Sequence, residues 1–194
     1  ALLGPLAKAV VASSAEFARG FLVACNTDER RKAEADVIFG RPEWATVERI
    51  TFGSYHVLSE HMRALVEARG VNEAALAALA HLELPRLEVL SFTGNTLAGK
   101  VMAEAKLPRL RVLDVGMPAQ EYRNGVFAPS HHRDASDFAW LLAAPYFHQL
   151  EELRIPLQLP VGDARPMRSW IDVLAKHPRL RRIVGGNRQT EMIA

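Results

Sequence analysis

Six-residue strings whose first, fourth and usually sixth positions are apolar recur along the chain: "VERITF" from Val47, "LEVLSF" from Leu87, "LRVLDV" from Leu110, "LEELRI" from Leu150 and "LRRIVG" from Leu180. Their starts are 40, 23, 40 and 30 residues apart, and each follows a proline by two to five residues (Pro42, Pro85, Pro108, Pro145, Pro178). Alternate side chains of a strand point the same way, so Leu90 and Phe92 face one side while Val89, Ser91 and Thr93 face the other. A strand this short cannot bury its apolar pair alone. Stacking successive strings buries the row continuously. The pattern therefore predicts strands near 47–52, 87–92, 110–115, 150–155 and 180–184, in one parallel sheet.

The intervals between strings predict the returning segments. "TLAGKVMAEAK" carries Leu97, Val101 and Met102 at roughly helical spacing. "VLSEHMRALVEARG" places Val57, Leu58, Met62, Leu65 and Val66 on one face and predicts a helix closed by Gly70. Asn72 is the expected N-cap of "EAALAALAHLEL", Ser136 that of "DFAWLLAA", and Pro166 opens "MRSWIDVLAKH". Gly116 to Arg133 is polar, bears Pro and His, and reads as a loop insertion. Ahead of the first string, "EFARGFLVACN" reads as extended and "TDERRKAEADVIF" as a helix.

"LEVLSFTGNTLAGKVMAEAKLPRL" resembles the leucine-rich repeat, with Phe92 in the third leucine place and Asn95 in the asparagine place. The other units hold Tyr55, Pro118 and Gln158 where Asn95 stands, and Gly185 replaces the last apolar residue of the fifth. The resemblance implies an α/β leucine-rich-repeat solenoid with a parallel inner sheet of about five strands and helices on the convex side. Residues 41–194 would be irregular repeats and 1–40 a non-repeat N-terminal cap or linker. "LLGPLAKAV", "FARGFLVACN" and "PEWATVERITF", through Gly20-Phe21-Leu22, Trp44 and Val47 to Phe52, also resemble the cap region of bacterial leucine-rich proteins. Those proteins carry a small helical repeat-companion domain upstream. The resemblance implies such a domain here and brings no activity with it.

Composition narrows the classes. The chain has 194 residues, 49% hydrophobic, 24% charged, with a net charge of +2, as in an ordinary globular domain. Its one cysteine, Cys25, excludes an intramolecular disulfide and fits a cytoplasmic setting. No run approaches the roughly 18 apolar residues of a membrane helix. "ALLGPLAKAVVASSA" lacks the basic region of a signal peptide ahead of its apolar stretch.

Candidate chemistry is sparse. His131 and His132 with Asp134 and Asp137 lie in a loop, and neighbouring histidines point apart. His56 and His61 are five apart, not the four that align two ligands on a helix. Cys25 sits in an apolar run without a basic neighbour. Gly185-Gly186-Asn187 lacks phosphate-loop spacing, and Trp44, Trp140 and Trp170 read as packing residues. The expectation is a non-enzyme with no catalytic, cofactor or metal residues.

Arg109, Arg111, Arg179, Arg181, Arg182 and Arg188 recur beside strand starts, which suggests an anion- or nucleic-acid-binding row. The absence of interleaved aromatics and the presence of Glu151 and Glu152 at equivalent places argue against it. What remains is the concave face: Arg49, Thr51, Val89, Ser91, Thr93, Val112, Asp114, Glu152, Arg154, Arg182 and Val184. Arrays of this kind bind proteins, so an unknown protein partner on that face is expected; a structural or regulatory arm of a larger bacterial protein is the alternative. "EMIA" is too short to cover the last strand, which would leave that edge open to self-association.

Overall fold

A computed structural model describes residues 3–27, 38–53, 58–93, 96–116, 122–123, 126–127, 139–155, 172–185 and 190–193. It is an α/β structure built on one nine-stranded sheet. The strands are β1 (Glu16–Ala18), β2 (Phe21–Asn26), β3 (Arg49–Thr51), β4 (Glu67–Val71), β5 (Val89–Thr93), β6 (Val112–Gly116), β9 (Glu152–Ile155), β10 (Arg182–Gly185) and β11 (Thr190–Ile193). They lie side by side in chain order, and β2 through β10 run parallel. Only β1 and β11, at the two edges, pair antiparallel. A separate small hairpin, β7 (Tyr122–Arg123) with β8 (Val126–Phe127), occupies the segment expected to be a loop.

Each expected strand is present, but regular pairing begins two residues after each string starts. The reason is a turn. The N–H of Val47 bonds to the Trp44 carbonyl, Leu65 to Met62, Leu87 to Leu84, Leu110 to Leu107 and Leu150 to Phe147, all three residues back. The string's first apolar residue thus closes a turn before the chain extends. The next carbonyl, at Glu48, Val66, Glu88, Arg111 and Glu151, accepts two backbone N–H groups from the following unit, at 2.7–3.2 Å.

The unit is therefore longer than the string and starts three residues earlier. Trp44-Val47-Ile50-Phe52, Leu84-Leu87-Leu90-Phe92, Leu107-Leu110-Leu113-Val115 and Phe147-Leu150-Leu153-Ile155 are all buried and stack into four apolar columns. Fully burying each such leucine stabilises by roughly 2 kcal/mol. This is what the leucines do.

Two expectations are corrected here. The sheet has more strands than five, and no described residue of "VLSEHMRALVEARG" forms the expected helix: residues 58–66 are turns and irregular chain, and Glu67–Val71 is β4. Met62, Leu65, Ala68 and Val71 enter the four columns, with 0–1% of their surface exposed. Their spacing of three residues imitates a helical face. The last step is three rather than two because β4 carries one extra residue: Ala68 pairs with Leu90 and Val71 with Phe92. Gly70, expected to end a helix, instead forms this bulge at φ +68°. A Cβ there would come within 2.7 Å of the Phe52 carbonyl oxygen.

The segment expected as an N-terminal cap belongs to the same sheet. β1 and β2 form a hairpin whose two-residue turn, Arg19 at φ 53° and Gly20 at φ 84°, has the left-handed pair that suits strand twist. β2 pairs parallel with β3, and Leu22 and Cys25 join the core. Thr27 is buried but satisfied, since its hydroxyl accepts the Gly53 N–H at 2.8 Å. At the other end β11 pairs with β10 through Arg182–Ile193 to Gly185–Thr190, so the edge expected to be open is covered. Of the helix expected over residues 27–39, residues 28–37 lie outside the described residues; Ile38 and Phe39 are helical, while Thr27 instead forms an antiparallel bridge with Val10.

Helices pack on the core side. Those described in full are α1 (Glu73–Ala78), α2 (Thr96–Glu104) and α3 (Ala139–Ala143). Asn72 caps α1 as expected, its side-chain oxygen accepting the Ala75 N–H at 2.9 Å. Ser136, Pro166 and Trp170 lie outside the described residues. Polar side chains tie neighbouring units together: the Tyr146 hydroxyl donates to the Met102 carbonyl at 2.9 Å, and Gln149 Nε2 to the Leu107 carbonyl at 2.6 Å. Trp44 is buried and donates to the Ile38 carbonyl at 2.8 Å, while the partly buried Trp140 lies over Gly99 of α2.

Two glycine substitutions test this packing. Gly70→Ala is expected to lower stability by about 2 kcal/mol or more, from left-handed strain plus the backbone clash. Gly99→Ala ordinarily stabilises a helix interior by about 1 kcal/mol. Here the added Cβ would sit 2.5 Å from Trp140 Cδ1, so the sign is expected to reverse. Urea unfolding of both variants measures this.

Candidate functional site

The ladder fixes which residues share the sheet face opposite the core. In one row the paired positions are Ala24, Arg49, Glu67, Val89, Val112, Glu152 and Arg182. Next along the strands come Asn26, Thr51 and Arg69 and, beyond the bulge, Ser91, Asp114, Arg154 and Val184. Between these rows runs the buried one of Cys25, Ile50, Ala68, Leu90, Leu113, Leu153 and Ile183. Thr93 pairs with Gly116 at the end of β5. All ten expected contact residues are strand residues of this one sheet. Arg49 and Thr51 are exposed, and Val89, Ser91, Val112, Asp114, Glu152, Arg154 and Arg182 are half-buried.

Sequence reasoning missed Glu67 and Arg69, because β4 read as helix, and Asn26 and Glu16, because their run, read correctly as extended, was assigned to a cap and not to the sheet face. The signal for β4 was present in the spacing of Met62, Leu65 and Ala68. Glu16 had none, since its place beside β3 depends on the β1–β2 hairpin.

Charges on this face are paired. Arg49 bonds Glu16, and Arg69 bonds Glu67 on its own strand. Arg154 bonds Glu152 and approaches Asp114 at 3.8 Å, while Arg182 approaches Glu152 at 3.5 Å. Between these clusters lie Val89, Ser91 and Val112, a stretch without charge. Most of these side chains are partly solvated, so each pair adds little stability. Beneath Glu16 and Arg49 a polar depression of about 140 Å³ is lined by Ser14, Asn26, Thr51 and Glu67 and floored by Ala24, Cys25 and Ile50.

A second charged row runs along the residue preceding each strand. Arg111 lies between Glu151, at 2.8 Å, and Glu88, at 3.4 Å, and Arg86 reaches Glu48 at 3.4 Å. The Arg111 hydrogen bond holds the Glu151 carboxyl below its ordinary value, with Arg181 and Arg179 adding to the effect. Of the arginines expected as a row, Arg111 and Arg182 thus pair with carboxylates. Arg188 lies outside the described residues.

No group of three or more His, Cys, Asp or Glu side chains placed to hold a metal occurs among the described residues. His56, His131, His132, Asp134 and Asp137 lie outside them. No helix among the described residues is long and apolar enough to cross a membrane. No protein-family model, curated protein or solved structure matches the chain.

Cys25 forms part of the floor of the depression and belongs to the buried row. Burial pushes its thiol up to about 12. Its contribution to stability is full below the unfolded thiol's range, roughly 8.5, and is lost as pH rises toward the folded value. Two results are expected: iodoacetamide leaves the folded protein unmodified at pH 8 but alkylates it in urea, and stability declines between pH 9 and 11. Alkylation of the folded chain at the rate of a free thiol would contradict the placement.

Proposed function

We propose that the chain is a leucine-rich-repeat solenoid acting as a non-catalytic protein-binding module, with the partner on the sheet face opposite the helices. The observation that supports it most is the single face itself. Sequence-ordered parallel strands bring Arg49, Thr51, Val89, Ser91, Val112, Asp114, Glu152, Arg154 and Arg182 into adjoining rows. Such residues can vary without disturbing the columns beneath, which suits a surface adapted to one partner.

The charge layout supports a protein rather than a nucleic acid. A phosphate-binding stripe requires cations that can be neutralised by the ligand, whereas Arg111 and Arg182 of the expected row, and Arg49, Arg69 and Arg154 on the sheet face, already face carboxylates. The uncharged centre at Val89, Ser91 and Val112, flanked by charged clusters, matches the apolar centre and polar rim of protein interfaces.

Affinity capture from extract of the native cells tests the reading. The intact chain is compared with a variant carrying Arg49→Ala, Thr93→Ala, Asp114→Ala and Arg154→Ala together. A control carries Glu104→Ala and Lys106→Ala, exposed positions at the end of α2. Loss of a captured protein by roughly tenfold, about 1.4 kcal/mol, is expected for the first variant only. Unchanged capture by a folded face variant, or equal loss in the control, contradicts the proposal.

A further inference from the structure

Trp44, Met62, Leu84, Leu107 and Phe147 begin successive units, and each offers its backbone carbonyl to the N–H three residues on. The final unit begins with His177, and there the pattern changes. The Leu180 N–H bonds to the imidazole Nδ1 at 3.0 Å, and the Arg179 N–H bonds to the same atom at 3.2 Å. The other ring nitrogen, Nε2, lies 2.7 Å from the Phe147 carbonyl oxygen. The ring also packs edge-on against Phe147, with centroids 4.8 Å apart.

These partners leave one ring state that satisfies all three. Backbone N–H groups can only donate, so Nδ1 must carry a lone pair, and a carbonyl can only accept, so Nε2 must carry the proton. That is the neutral Nε2–H tautomer. A second proton, on Nδ1, would set three N–H groups against one another where two bonds had been.

We propose that His177 is a pH-sensitive latch on the last unit. In its neutral form it closes the turn 177–180 and ties it to the preceding unit through Phe147. Protonation removes the acceptor for Arg179 and Leu180, and β10 with the β11 strand paired to it loosens from β9. Unfolding of this unit is therefore favoured as pH falls, while the central units, whose turns close on carbonyls, are unaffected.

None of the charged or titratable side chains on the surrounding described elements hydrogen-bonds the His177 ring. On the turn containing Phe147, His148 stacks over His177 with centroids 6.5 Å apart, so protonating both rings adds repulsion. Asp172 and Lys176 lie on the segment before His177, Arg179 and Arg181 follow it, and Glu151 precedes β9 with Arg111 as its partner.

Hydrogen exchange on the full chain at pH 7.5 and 5.0, corrected for the intrinsic pH dependence, tests the latch. In the wild type, protection of Leu180 to Val184 is expected to fall at least roughly tenfold more than that of Leu87 to Phe92. His177→Asn keeps a side-chain acceptor that does not titrate, and is expected to abolish the difference; His148→Gln is expected to retain it. An equal fall in both segments of the wild type, or the same difference in His177→Asn, overturns the proposal. Should His177→Asn fail to fold, the wild-type ring decides through its ¹⁵N shifts at pH 7.5. A proton on Nε2 and a bare Nδ1 support the latch, and the opposite tautomer overturns it.

Discussion

The carbonyl that precedes each strand carries the architecture. At Glu48, Val66, Glu88, Arg111 and Glu151 one oxygen receives two N–H groups from the next unit, so the unit cannot slide without breaking both. A one-residue slip would turn every buried side chain outward. Instead Ile50, Ala68, Leu90, Leu113, Leu153 and Ile183 fall into one line. The apolar columns supply the stabilisation, and the carbonyls decide which atoms meet.

The same register determines the electrostatics of the outward face. Arg154 reaches Glu152 on its own strand and Asp114 on the neighbouring one because β6 and β9 are adjacent and in step. Their adjacency survives a long excursion in the chain between them: Arg111 hands its carbonyl directly to Glu151 and Glu152. Insertions can therefore grow between units without altering the sheet, as loop closure becomes only slowly costlier with length.

Much of this was legible in the residues. The apolar strings located β3, β5, β6, β9 and β10, and alternation within them separated Leu90 and Phe92 from Val89 and Ser91. Asn72 announced α1. What escaped notice did so for identifiable reasons. Met62, Leu65 and Ala68 repeat every third residue, which lies close to a helical period, and Gly70 looked like a helix terminator because a left-handed glycine serves both bulges and caps. β1 falls in the run read as extended, but it and β11 pair antiparallel at the edges and follow no repeat, so the strings did not show that they join the sheet. Of the candidate face, the central residues were readable from strand alternation. Glu16, Glu67 and Arg69 were not, because their placement depends on those hidden strands.

The stacked unit at 62–71 is the part of this account that departs furthest from the chain's local pattern, and it divides the interval between Val47 and Leu87. Nuclear Overhauser contacts across it test the account directly. The fold requires contacts from the Val66 and Glu67 amides to Glu48, and from the Glu88 and Val89 amides to Val66, with interstrand contacts linking Ala68 to Ile50 and Leu90. A run of helical contacts three residues apart from Met62 through Arg69, without those links, would contradict it.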